Sequence, residues 1–211
     1  MTIVRLEDVH LRFGSTPVLT GVDLDVAAGE RVGIAGPNGA GKSTLLSVIA
    51  TLRTPTTGTA TVFDAEVGSP RAYEVRRLIG WSGHEPALFE ELTLRENLHH
   101  FARLAGLDVS DADRALRQVG LDAAADRRAQ ACSNGMRRRA DLARLLMTRP
   151  RLLLLDEAHA GLDADAAAIV EVLCRRTVAA GGAVVMVSHD REAMTSHVDR
   201  VLTLREGRVE R

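Results

Sequence analysis

The sequence predicts an α/β fold: a phosphate-loop core with a β-rich N-terminal part and an inserted helical region. Three observations predict it. Arg31-Val32-Gly33-Ile34-Ala35 reads as a buried strand that feeds a glycine-rich loop, and Leu45, Leu46, Val48 and Ile49 then suit a helix. Leu152-Leu153-Leu154-Leu155 reads as a second buried strand that ends in Asp156-Glu157. The last third of the chain alternates strand and helix, whereas the middle, roughly residues 92–147, carries helical patterns.

The opening reads as short strands. Residues 3–11 mix apolar and polar side chains, and Val22-Asp23-Leu24-Asp25-Val26 alternates strictly, as a half-buried antiparallel strand does. Ala28-Gly29-Glu30 then turns the chain into the strand at 31–35. In the middle, residues 96–105 and 111–119 are candidate helices, separated by Gly106 and ended by Gly120. A longer helix is expected over 134–147, with Met136, Ala140, Ala143 and Met147 near one face and Pro150 beyond it. A helix near 165–178, a strand at 183–187 and a short return at 201–204 complete the pattern, with Gly181-Gly182 between the helix and the strand.

Composition narrows the function classes. The 211 residues suffice for one large domain with a substantial core. The net charge of −1 gives no footprint for a nucleic-acid partner. The apolar runs are far shorter than the roughly 20 residues needed to span a bilayer. The first residues, Met1 to Glu7, have neither the charged start nor the apolar stretch of a signal peptide. Cys132 and Cys174 are isolated and lack metal-ligand spacing, so both are expected to be reduced thiols of a cytosolic protein. The adjacent His99 and His100 diverge around a helix and are read as solvated or half-buried side chains.

The chemistry starts at Gly36-Pro37-Asn38-Gly39-Ala40-Gly41-Lys42-Ser43-Thr44, which fits G-x-x-x-x-G-K-[ST] at every fixed position. Lys42 is the only lysine among 27 basic residues. The loop requires a compact ammonium that reaches β- and γ-phosphate oxygens from under a tight backbone cradle, and a planar guanidinium is a poor substitute. Gly36, Gly39 and Gly41 let backbone N–H groups turn toward one anion, and the following helix adds its positive end. Ser43 can place its hydroxyl on Mg²⁺. Asp156, at the end of its strand, can hold the same ion directly or through water. Glu157 can orient, or take a proton from, a water attacking the γ-phosphate. Upstream, Ser133 and the N–H groups of the helix over 134–147 offer a second anion-binding end. Taken alone, the stretch Cys132 to Arg139 reads equally as a helix cap followed by a solvated arginine face.

This set resembles the ATP-binding cassette family, the nucleotide-binding subunits of ABC transporters, over essentially the whole chain. In that light the phosphate loop is Walker A and Asp156-Glu157 closes Walker B. Ser133-Asn134-Gly135-Met136 is similar to the family signature Ser-Gly-Gly-Gln, Ala160-Gly161-Leu162-Asp163 to the D-loop, and Ser188-His189-Asp190 to the switch-histidine segment. Phe13, just before Gly14, sits where the family puts an aromatic against adenine. A GTPase is excluded, because its Asn-Lys-x-Asp reader needs a lysine beyond Lys42.

The resemblance implies a single ABC ATP-binding domain over residues 1–211, with a P-loop NTPase core, an N-terminal antiparallel β subdomain and a helical subdomain at approximately 84–148. It also implies a shared-site ATPase. Two copies face head to tail, and each ATP with its Mg²⁺ lies between Walker A of one copy and Ser133 and Gly135 of the other. His189 contacts the γ-phosphate, and Asp163 couples the two sites. The stroke passes to membrane permease subunits that dock on residues 84–97, which places the chain at the cytoplasmic face of the membrane. Soluble relatives acting on DNA or ribosomes carry tandem cassettes or a coiled-coil insertion, neither of which is visible in this chain. Retention of Glu157 argues against a binding module without turnover.

The chain departs from the family pattern in four places. His84 stands for the Q-loop glutamine, where an imidazole can face Mg²⁺ or water. Asn134 replaces a glycine, Met136 a glutamine and Ala158 a proline. Gly83-His84, with Glu85-Pro86 and the stretch Glu91 to Leu98, resembles the haem-exporter ATPase of cytochrome c maturation. The Ser-Asn-Gly-Met-arginine pattern also resembles drug- and polysaccharide-exporter cassettes.

Overall fold

The computed structural model describes residues 1–157 and 164–210. Two sheets organise them. The first joins β1 (Thr2–Phe13), β2 (Thr16–Ala27), β4 (Thr57–Val62) and β5 (Ala65–Glu66), all antiparallel, in the order β2-β1-β4-β5. In β2 the predicted alternation is observed directly: Val22, Leu24 and Val26 are buried, while Asp23 and Asp25 are exposed.

The second sheet joins β3 (Arg31–Ala35), β6 (Ile79–Ser82), β7 (Leu152–Asp156), β8 (Ala183–Ser188), β9 (Arg200–Arg205) and β10 (Arg208–Glu210) in the order β10-β9-β3-β8-β7-β6. Only β10 runs antiparallel, returning from β9 through Glu206 and Gly207, both at positive φ as a tight hairpin turn requires. Every residue of β7 and β8 is buried, because a parallel strand is covered on both faces. Leu152, Leu154, Val185 and Val187 enter the core shared with the first sheet. Leu153, Leu155, Val184 and Met186 enter the core under the helices. The two-residue period of the strands thus divides one apolar run between two cores.

The described residues also form seven α-helices, besides three short 3-10 turns: α1 (Lys42–Ile49), α2 (Pro70–Val75), α3 (Leu94–Leu104), α4 (Val109–Gln118), α5 (Asn134–Thr148), α6 (Ala164–Ala179) and α7 (Arg191–Thr195). Helix α3 begins two residues before the predicted start. Thr93 Oγ1 accepts from the N–H of Glu96 at 3.1 Å, and the Glu96 carboxylate accepts from the N–H of Thr93 at 2.8 Å, so a reciprocal cap fixes the first turn. Helix α5 matches its prediction to one residue and ends at Arg149, in left-handed conformation before Pro150. Ala140, Ala143 and Met147 are buried on its core side, and Met136 packs against that core while partly exposed.

Strands β4 and β6 and the short helices α2 and α7 have no counterpart in the sequence prediction. β6 is a four-residue edge strand that is only half buried. Its Gly80 permits close approach: a Cβ there would come within 2.7 Å of the Pro150 ring. The segments α3 to α5 lie in sequence between β6 and β7, two paired parallel strands. No described helix is long and apolar enough to cross a membrane.

Candidate functional site

The site forms at the carboxyl ends of β3, β7 and β8, which the sheet order places side by side. The glycines of the loop after β3 do different jobs. Gly36 allows close approach, since a Cβ there would lie 2.3 Å from the Leu204 carbonyl oxygen of β9. Gly41 adopts φ +101° at the N-cap of α1, a conformation that glycine supplies without steric cost. No side chain caps that helix, and its first turn has no acid, so its first N–H groups are left without a side-chain acceptor, as an anion-binding end requires.

The loop, with Val18 of β2, bounds a cavity of about 320 Å³. Asn38, Gly39, Gly41, Lys42, Ser43 and Thr44 of the loop and the start of α1 line it, together with His84, Asp156 and Glu157. Phosphate loop, Walker B acids and Q-loop position therefore converge, although up to 115 residues separate Lys42 from Glu157 in sequence. Gly36, Pro37 and Ala40 belong to the same loop but do not line the cavity. Phe13, 43 % exposed, lies outside the lining, and the Arg53 guanidinium covers its ring at 4.7 Å from the centroid.

Lys42 is almost fully buried. Its ammonium donates to the carbonyl oxygens of Gly36 at 2.8 Å and Pro37 at 3.1 Å, and lies 3.6 Å from Glu157 Oε1. The other oxygen of Glu157 accepts from Ser188 Oγ at 3.2 Å and sits 2.9 Å from His189 Nδ1. Glu157 holds this position at φ +53°, left-handed backbone that a non-glycine residue adopts at a cost, while its N–H donates to the Val187 carbonyl at 3.0 Å. The turn brings two consecutive acids into one cavity.

Asp156 is the more buried of the two. Burial pushes its carboxyl above the usual carboxylate range, and the neighbouring charge of Glu157 adds to the rise. A hydrogen bond from Ser43 and the charges of Lys42 and His84 oppose it. Among the described residues, no three His, Cys, Asp or Glu side chains gather as a metal-binding group. Ser43 and Asp156, which line the cavity together, still fit a hard cation such as Mg²⁺, which takes one or two protein oxygens and completes its shell with water and phosphate.

Ser133 and Gly135 do not line this cavity. Ser133 caps α5, accepting from the N–H of Met136 at 3.3 Å. The expected role of Asp163, with the rest of the D-loop and Ala158, lies outside the described residues. His99 is held 3.3 Å from Asp113, and the ring of His100 packs edge-on against Phe89. The sequence reading overlooked the bond from Ser188 to Glu157 and the burial of Asp141. A serine ending an apolar strand was the available signal for the first, and an acid on the apolar face of a predicted helix for the second.

Residues 19–160 match the family described as ABC transporter. The chain is 38 % identical over 212 residues to the daunorubicin resistance ATP-binding protein DrrA3 of Streptomyces coeruleorubidus, covering 99 % of this chain and 67 % of that protein. It is 36 % identical over 209 residues to the Nod factor export ATP-binding protein I of Rhizobium meliloti, covering 97 % and 62 %. With the Fe(3+) ions import ATP-binding protein FbpC of Mesorhizobium japonicum it shares 36 % identity over 219 residues, covering 99 % and 59 %. The chain thus spans about three fifths to two thirds of the length of these relatives. Among solved structures, the dimeric post-hydrolysis state of the ATP-binding cassette MJ0796 bound to ADP and Pi superposes with a TM-score of 0.86 at 27 % identity, covering 99 % of this chain and 97 % of that one.

Proposed function

This chain belongs to the ABC transporter family as one of its ATPase domains, and on that premise we propose that it is the motor of a transporter, hydrolysing ATP in a head-to-tail dimer to drive membrane permease subunits. The observation that carries the reading is the convergence of Lys42, Ser43, Asp156 and Glu157 on one cavity at the uncapped end of α1.

The loop N–H groups and Lys42 bind and orient the phosphates, while Thr44 and Asn38 shape the cradle. Ser43 and Asp156, with His84 lining the same cavity, would hold Mg²⁺, which would supply positive charge toward the phosphoryl oxygens. Glu157 takes the proton of the attacking water as its oxygen bonds to the γ-phosphorus and the bond to the bridging oxygen breaks. His189 orients that carboxylate through Nδ1. With Nδ1 facing Glu157, Nε2 is the ring nitrogen left to meet a phosphoryl oxygen. Phe13 receives the adenine once Arg53 moves aside or stacks on its far face. Ser133, Gly135 and Asp163 serve the partner copy's nucleotide, consistent with the absence of Ser133 and Gly135 from this copy's cavity.

The permease surface is proposed at residues 84–97 within the helical subdomain at 84–148. Phe89 is half exposed there, and buried Asn97 pins its backbone with bonds of 2.7 and 3.0 Å. Such docking places the chain at the cytoplasmic face of the membrane. For cargo we favour export of a small molecule, supported by export in the name of the Nod factor protein and by drug resistance in that of DrrA3. The iron-import name of FbpC leaves direction to experiment, and none of these three relatives is named for haem, so the haem-exporter resemblance at Gly83-His84 stands without support.

Phosphate release by the purified chain, alone and with candidate membrane subunits, tests the reading. Release well above a Lys42→Ala control and stimulated by those subunits is expected. No ATP-dependent release under either condition overturns it. Stimulation by DNA or ribosomes instead of membrane subunits moves the chain to the soluble class.

A further inference from the structure

We infer that the groove between helices α4, α5 and α6 is a second ligand site, apart from the ATP cavity, and that it takes a small amphipathic organic anion: an apolar body with one carboxylate-like head. The groove consists of two adjoining cavities of about 540 and 360 Å³, both of the size of small-molecule sites, and neither shares a lining residue with the ATP cavity. Gln118, Leu146 and Arg176 line both cavities and so stand at their junction. The floor is apolar. In the larger cavity Val119 and Leu146 are buried, while Ile169 and Val172 of α6 are only half-buried. Leu145, Pro150 and Leu173 continue the floor into the smaller one. Asp165, Ile169, Val172 and Arg176 follow one another at spacings of three and four, so one face of α6 runs along the groove for eleven residues, about 16 Å.

Charge selects the head. Among the described residues, Asp165 is the only acid lining either cavity. Arg139 lies 3.9 Å from it and donates to the Val119 carbonyl at 3.2 Å, so that pair neutralises itself and ties three helices together at one end. Arg176 and Arg149 are exposed and, among the described residues, have no ion-pair partner. They leave the junction and the smaller cavity with two uncompensated positive charges, beside a Gln118 amide that can donate to the same head. Basic side chains at helix C-termini, where both arginines sit, also complement the helix dipoles. That role accounts for the charges but not for half-buried Ile169 and Val172 around a cavity, and those suit an apolar body. A seat of three helical turns is short for a protein partner, whose stable interfaces bury upward of about 1,200 Å².

The test uses the full chain without nucleotide and laurate below its micelle concentration, read by titration calorimetry and by hydrogen exchange at residues 145–149 and 165–180. A single laurate per chain is expected to bind with a Kd on the order of 10 μM and to protect both segments. Dodecylammonium, with the same tail and the opposite charge, is expected to bind about tenfold more weakly or not at all. Arg176→Glu, at an exposed position, should weaken laurate about tenfold or more. Ala168→Trp, also exposed, should fill the larger cavity and abolish protection at 165–180. Both variants should keep ATP affinity within about twofold, since the two sites share no residue. No laurate binding, many laurates per chain, equal affinity for dodecylammonium, or laurate affinity unaltered in either variant overturns the inference. Protection by an acidic amphipathic peptide but not by laurate makes the groove a protein-docking surface, and a nucleotide-free dimer dispersed by Ala168→Trp gives it to a second copy; either result also overturns the inference. If Ala168→Trp does not fold, Arg176→Glu and the dodecylammonium comparison decide.

Discussion

The Lys42 ammonium and the Glu157 carboxylate lie 3.6 Å apart, with Lys42 also held by two carbonyl oxygens of its own loop and Glu157 by Ser188 and His189. The group that binds phosphate and the group proposed to activate water therefore meet across one cavity, and each is fixed from its far side.

Replacing Lys42 by arginine is expected to remove most hydrolysis, on the order of 10²-fold or more in kcat, because phosphoryl transfer depends on positioning and preorganised charge. The guanidinium keeps the charge but is too wide for a pocket where the ammonium is 7 % exposed. Steady-state phosphate release decides it; parental turnover would show that the steric argument is wrong.

Glu157→Gln keeps an oxygen for His189 while removing the proton acceptor. Turnover should fall roughly 10²- to 10⁴-fold, the range of a positioned acid–base group, with ATP still bound. Gel filtration with ATP should then show a dimer that the parent populates only transiently. Hydrolysis at the parental rate would withdraw the catalytic assignment.

Asp156 gives a dependence on pH whose sign follows from burial. Its native pKa is raised, so the folded chain holds this proton to higher pH than the unfolded chain, whose carboxyl titrates near the ordinary value of about 3.9. The stability contributed by the protonated form is complete below that value and is lost as pH rises through the raised native one. Without nucleotide or Mg²⁺, Asp156→Asn should melt above the parent at pH 7, and the gap should narrow as pH falls toward 4. A gap that widens at low pH would contradict this.

Gly36→Ala should destabilise the chain by about 1–3 kcal/mol, the usual cost of forcing atoms into a filled site, because its Cβ meets the Leu204 carbonyl at 2.3 Å. Any relief moves the loop away from β9, so ATP affinity should fall with the melting temperature. Both are read from thermal melts with and without ATP, and an unshifted melt would contradict the prediction.

Thr93→Ala provides a contrast remote from the cavity. It removes one half of the cap on α3, which costs about 1 kcal/mol. A melting point lower by roughly 2–4 °C is expected in a chain of this size, with kcat for the isolated chain unchanged. A loss of kcat there would tie α3 to the chemistry.

The elements that could be read from sequence are those whose signal is continuous along the chain. β3, the phosphate loop and α1 adjoin, and β7 runs directly into Asp156-Glu157, so chemistry and local structure were visible together. β6 was missed because in this four-residue edge strand the two buried positions are Gly80 and Ser82, which give no apolar period to register. α2 and α7, at six and five residues, are equally short of a helical repeat.

The sequence by itself determined the α/β class, the phosphate loop around Lys42, the acid pair and the order of the motifs, since each depends on residues within a few positions of one another. Only the tertiary structure decided what those groups do to each other. Placing β8 between β3 and β7 sets Ser188 and His189 against Glu157, and the left-handed turn at Glu157 aims that carboxylate toward Lys42. Asp141 reaches Ser82 across 59 positions, through a buried contact that helix periodicity marks as inward-facing but cannot pair. Local periodicity fixes which way a side chain points; its partner is fixed by how distant strands and helices pack.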